Sequence, residues 1–173
     1  MTNQVTRQKI LSDAYKNVDE ILNNRSYISD PRESFNVGTT GRKWIVPDDD
    51  SPKDINSMPY PYIVHKFPTM KELRSSADGH VHNIEWEEHI IVKVKKDGSG
   101  NQGYDVGMND FLNICDDIIE TFNKDTVKQT FRDLNQGGME IEQVSNDTEY
   151  ETNLTIYVAE FVLSYDIRMV TSP

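Results

Sequence analysis

Leu154-Thr155-Ile156-Tyr157-Val158-Ala159-Glu160-Phe161-Val162-Leu163-Ser164-Tyr165-Asp166-Ile167-Arg168-Met169 is the stretch whose reading decides the fold. Leu154, Ile156 and Val158 alternate on one phase, and Phe161, Leu163, Tyr165, Ile167 and Met169 on the other. That is the period of two of a β-strand. The phase slips by one residue near Ala159-Glu160. A slip of one turns every side chain to the opposite face, so the pattern predicts a β-bulge there that restores the register.

A second long strand stands upstream. Ile84, Trp86, Glu88, Ile90, Val92 and Val94 alternate with Glu85, Glu87, His89, Ile91, Lys93 and Lys95, ending at the glycine-rich run Lys96-Asp97-Gly98-Ser99-Gly100. Tyr62 to Phe67 reads as a shorter strand, closed by Pro68. Pro59 and Pro61 before it point to an edge position or a strand start. Residues 69–82 are polar and contain the turn signal Asp78-Gly79. Met139 to Val144 reads as a strand, followed by a turn at Ser145-Asn146-Asp147.

Three helices interrupt these strands. Leu11, Ala14, Tyr15, Val18, Ile21 and Leu22 predict an amphipathic helix over about residues 4–23. Phe111, Ile114, Cys115, Ile118, Ile119 and Phe122 predict a second over about 108–123, with Asn109 or Asp110 near its start. Asp125 then caps a short third carrying Val127, Thr130, Phe131 and Leu134, which Gly137-Gly138 breaks. Helices placed between strand pairs predict an α+β fold, a mainly antiparallel sheet with helices packed on one face. The 173 residues suffice for one domain. Residues 24–60 are an irregular excursion or arm, rich in proline, with the β-prone island Trp44-Ile45-Val46.

Composition excludes more than it assigns. Eighteen Lys and Arg against 29 Asp and Glu give a net charge of -11, which opposes nonspecific binding to phosphate backbones. The single cysteine, Cys115, excludes an intrachain disulfide framework and a multi-cysteine zinc site. It lies on an apolar helix face beside Asp116 and Asp117, a setting for packing rather than nucleophilic attack. No apolar run reaches the roughly 18 residues of a membrane span. The first residues carry no apolar core of a signal peptide, which predicts synthesis in the cytoplasm.

The chemical motifs fall short one by one. His80 and His82 stand two apart, with His65 and His89 elsewhere, and a metal would need several of them to converge with a carboxylate. Asp48-Asp49-Asp50 opens like a calcium loop, but the sixth and twelfth positions hold Lys53 and Pro59 instead of Gly and Glu. Gly98, Gly100, Gly103 and Gly107 lack the Gly-Lys-Ser/Thr ending of a phosphate loop. Glu88 falls in phase with apolar residues, where burial could raise its pKa, yet one carboxylate is a weak acid/base candidate. The reading is therefore of a protein that is not an enzyme and has no cofactor or metal. Tyr27, Phe35, Trp44, Ile45 and Val46, aromatics and apolars among prolines, are candidate interface residues. Asp48, Asp49, Asp50, Glu140 and Glu142 are candidates for an acidic surface or lumen wall.

The order of elements resembles the tail terminator or tail-completion (neck) proteins of long-tailed phages and related archaeal viruses. The residues that carry the resemblance are Leu11 to Leu22, Pro61 to Phe67, Ile84 to Val94, Phe111 to Phe122 and Leu154 to Met169. It implies a structural virion protein, a homo-oligomeric ring and typically a hexamer, that terminates the tail tube and joins it to the head-side neck or connector. Genomic DNA would pass through the lumen without specific binding, past a negative wall that lets phosphate slide. Another neck or tail-tube component, or a small α+β enzyme, are the alternatives. A concave pocket with converging polar groups would favour the enzyme.

Overall fold

Fifteen consecutive residues of one strand set the frame. In a computed structural model, which describes residues 7–23, 45–47, 60–66, 68–75, 81–98, 105–151 and 154–170, strand β4 (Val81–Lys95) pairs antiparallel with β6 (Leu154–Val170). The register runs unbroken from Val81 opposite Val170 to Lys95 opposite Ile156. The other elements are α1 (Arg7–Asn23), β1 (Ile45–Pro47), β2 (Tyr62–His65), β3 (Thr69–Ser75), α2 (Val106–Asn123), α3 (Asp125–Asp133) and β5 (Gln136–Glu151). The six strands form one sheet in the order β1-β2-β4-β6-β5, with β3 also against β4. All pairs are antiparallel except β1 with β2. The fold is α+β, as the element order predicts.

β2 and β3 share one side of β4. His65 stands opposite Ile90 and Thr69 opposite Glu87, and the Lys66 N–H bonds the His89 carbonyl between them at 3.0 Å. The strand β3 corrects the reading of 69–82 as polar connection. β2 lies inside the sheet, with β1 outside it, so Pro61 marks a strand start and not an edge.

The predicted bulge at Ala159-Glu160 is absent from β6 along β4. Phe161, Ala159 and Tyr157 continue on the helix-covered face, while Leu154, Ile156 and Val158 form a separate apolar cluster on the other face with Ile91 and Tyr60. The change of phase is a change in which face is apolar. A bulge does occur opposite, on β5, between Gln143 and Ser145, so Val144 has no partner on β6. The turn predicted at Ser145-Asn146-Asp147 is strand, since each of these residues pairs with β6.

One core unites the layers. Ile84, Trp86, Ile90 and Val92 of β4 and Phe161, Leu163, Tyr165 and Ile167 of β6 pack with Phe111, Ile114, Ile118 and Phe122 of α2, Phe131 of α3, and Ala14, Val18 and Leu22 of α1. All three helices thus serve the same sheet face. Each Leu, Ile, Val or Phe so buried contributes about 1.5–3 kcal/mol. Asp105 fixes where α2 begins, earlier than Asn109. Its Oδ1 accepts the Met108 N–H at 3.3 Å and the Asp97 N–H at 3.1 Å, and its Oδ2 accepts the Tyr157 hydroxyl at 2.5 Å. Burial pushes the Asp105 carboxyl up, but these hydrogen bonds outweigh it and hold the pKa low. Gly107 completes the junction. A Cβ there would lie 2.2 Å from the Lys95 carbonyl oxygen, so only glycine lets the helix approach the end of β4 this closely.

Phe122 is fully buried where α2 meets the sheet, and Leu112 on the same helix is 50% exposed. Phe122→Ala is expected to cost about 3–5 kcal/mol in urea denaturation. Leu112→Ala should stay within about 0.5 kcal/mol of the parent. Equal effects at the two positions would contradict this helix-on-sheet packing.

Candidate functional site

Glu88 is the carboxylate that strand periodicity puts among apolar side chains, and it is fully buried. Trp86 Nε1 donates to its Oε1 at 2.5 Å and the Tyr165 hydroxyl donates to the same oxygen at 2.6 Å. His65 Nε2 bonds the other oxygen. His65 is itself 1% exposed, with the Tyr15 ring stacked on it at 4.3 Å and 9°. Asp19 of α1 places a carboxylate oxygen 3.7 Å from His65 Nδ1, an ion-pair distance rather than a hydrogen bond. Burial alone would lower the His65 pKa, but Asp19 and Glu88 together raise it above 6.5. The Tyr165 hydroxyl is pushed upward by burial and by the Glu88 charge. Both carboxylate oxygens of Glu88 are occupied from within the protein, in an arrangement that joins secondary-structure elements. The cluster ties β2, β4, β6 and α1 together.

The other chemical candidates are placed apart. His82 Nδ1 pairs with Glu72 at 2.7 Å, and His89 lies on the sheet face opposite the helices. Among the described residues no three His, Cys, Asp or Glu side chains gather in a metal-ligating group. Cys115 is buried and its thiol is pushed up to about 12 by burial and then by Asp116, which suits packing. A cavity of about 520 Å³ lies between α1 and the end of β6, lined by Ile10, Ala14, Leu134, Met169 and Val170 with Asp13, Gln136 and Arg168. Two of its polar groups are engaged within the protein: Asp13 pairs with Lys9, and the Gln136 side chain accepts the Asn17 amide at 3.0 Å. Of the candidate interface residues, Ile45 and Val46 lie in β1, while Tyr27, Phe35 and Trp44 and the acidic run Asp48, Asp49 and Asp50 lie outside the described residues.

The remaining feature is the sheet face that no described helix covers. The registers place Glu85 and Glu87 of β4, Glu140, Glu142, Asp147 and Glu149 of β5, and Glu160 and Asp166 of β6 on it. Lys71, Lys93, Lys95 and Arg168 are among the cations on the same face. Lys93 pairs with Glu149 at 2.9 Å, and His89 lies between Glu160 at 2.7 Å and Glu87 at 3.0 Å. Glu85 stands directly opposite Asp166, a like-charge pair that a strand pairing normally avoids. One end of the face is apolar, where Leu154, Ile156 and Val158 pack with Ile91 and Tyr60. Glu140 and Glu142, picked out by their spacing, are exposed members of this surface. Glu85, Glu160 and Asp166 join it through strand register, which single-strand periodicity does not show.

The charged His65 contributes stability in full below pH 6.5, and this contribution is lost as pH rises through its raised value in the fold. The melting temperature is therefore expected to fall as pH is raised above 6.5, and His65→Gln should abolish that part of the pH dependence. Glu88→Leu leaves three buried donors without their acceptor and should cost about 3–5 kcal/mol. A parent protein whose melting temperature is level or rising through that window would refute the charged latch.

No protein-family model and no curated protein sequence matches the chain.

Proposed function

We propose that the chain is a structural virion protein of the tail terminator or tail-completion kind, with the neck of the particle as its place. Copies form a ring, a hexamer by resemblance, that ends the tail tube and joins it to the head-side neck or connector. The observation that carries the reading is a six-stranded sheet covered by helices on one face, with the other face acidic and, among the described residues, bare of helices. An antiparallel sheet can keep its second face in water, and such a face is a surface that could meet an unlike surface on the next copy of a ring. The helix-on-sheet order from α1 to β6 supports the same assignment through its resemblance to that class. Genomic DNA passes through the lumen without specific binding, in keeping with a net charge of -11. No helix of the described residues is long and apolar enough to cross a membrane.

Mass photometry and negative-stain microscopy of the purified protein test this reading. Rings are expected, either from the protein alone or on addition of tail tubes, where they should sit at tube ends. Decoration along tube walls would instead favour a tube component. Monomers that never associate with tubes, together with turnover of a small substrate, would overturn the structural role.

A further inference from the structure

We propose that the acidic half of the open sheet face docks onto helix α3 of a second copy of this chain. The contact joins two different surfaces. The inference rests on the ring reading and names the contact that such a ring would use.

Glu85, Asp166, Glu140 and Glu142 lie side by side on adjacent strands, all exposed. None of the four makes an ion pair among the described residues. Glu85 stands opposite Asp166, and although Lys71 of β3 lies opposite Glu85 and Arg168 follows on the same face of β6, neither forms an ion pair with these acids among the described residues, so a cation from a second copy adds a partner for them. Such a cation source exists on the same chain. Lys124 at the start of α3, Lys128 and Arg132 follow one another at four-residue spacing, which aligns them on one side of the helix. Their side chains likewise form no ion pair or hydrogen bond among the described residues, although the chain carries a large excess of acid. The helix acids Asp125 and Asp133 lie one residue off that line, and Asp133 is engaged by the Gln129 amide at 2.8 Å.

The two surfaces cannot meet within one protomer. α3 packs through Phe131 and Val127 on the covered face of the sheet, and the four acids are on the opposite face. Nor can the acidic face pair with its own copy about a two-fold axis, since that sets carboxylate against carboxylate. The complementarity is satisfied when face meets helix, copy after copy, and such a heterologous contact closes into a ring when its rotation closes.

Two double variants test the contact. Glu140→Lys with Glu142→Lys reverses the face, and Lys128→Glu with Arg132→Glu reverses the helix. Circular dichroism and the melting temperature confirm that each is folded, and the neutral pair Glu140→Gln with Glu142→Gln replaces the first should it misfold. Mass photometry is then read at about 0.05 M and about 0.5 M salt, where charge attraction is strong and screened respectively. The parent should assemble at low salt and dissociate at high salt, and each variant alone should associate about tenfold or more weakly. An equal mixture of the two charge-reversed variants should assemble again, because the reversed face of one now fits the reversed helix of the other. Variants that assemble like the parent, or a mixture that stays monomeric while the parent forms rings, would overturn the contact and leave the ring reading standing. A parent that assembles under no condition, with or without tail tubes, would overturn both.

Discussion

The structure depends on burying one carboxylate. An ionised Glu in an apolar core costs several kcal/mol unless its oxygens are met by donors. Glu88 obtains them from three places at once: Trp86 on its own strand, Tyr165 on β6 and His65 on β2. Shifting either pairing by one residue would move Glu88 or its partners to the open face and strand the others in the core. The cluster therefore selects the register of β2 and β6 on β4. It also places α1, because His65 lies under the Tyr15 ring, near Asp19, and its carbonyl accepts the Tyr15 hydroxyl at 3.2 Å. A helix otherwise held by Ala14, Val18 and Leu22 is thereby given one position along the sheet.

The elements that could be read in advance are those whose burial repeats with a fixed period. The two long strands and the helices α1 and α2 each repeat their apolar residues several times, and their existence and type follow. β3 was hidden because Thr69-Met70-Lys71-Glu72 has no buried phase. Met70 is 53% exposed, and the strand is held by its backbone ladder to β4. Ser145-Asn146-Asp147 has turn chemistry, but pairing along β6 overrides it, and the extra residue is absorbed as the Val144 bulge. The phase change near Ala159 was visible and its cause was not, since an apolar patch on the second face has the same sequence signature as a bulge. Glu88 stood out by its phase, whereas its partner His65, 23 residues away, did not. The acidic surface was half legible: Glu140 and Glu142 show in their own alternation, while Glu85 and Asp166 become neighbours only through the sheet.

That surface is expensive for a lone protomer. Among the described residues, the six-stranded sheet has one face covered by helices and one that no helix covers. Carboxylates outnumber cations on the open face, and only some are paired, as Glu149 is with Lys93 and Glu160 and Glu87 are with His89. A patch of this sort keeps the protein soluble and discourages indiscriminate association, at some loss of intrinsic stability. The apolar end formed by Leu154, Ile156 and Val158 supplies the opposite tendency a few residues away. A surface with an apolar end and an acidic remainder selects its partner by sign and is then held by exclusion of water.

The outer strand β5, at one end of the strand order, is blunted against further strand pairing. β5 is sixteen residues long and among the described residues pairs only with β6, which would ordinarily invite another strand. Its sequence contains acids at Glu140, Glu142, Asp147, Glu149 and Glu151 and no lysine or arginine, so a second β5 laid against it meets charge of its own sign. The bulge at Val144 interrupts the ladder, and the Thr148 N–H is already taken by the Asp147 carboxylate at 2.7 Å. Each is a known way of blocking edge-to-edge growth. With the edge blunted in this manner, uncontrolled β-pairing is suppressed.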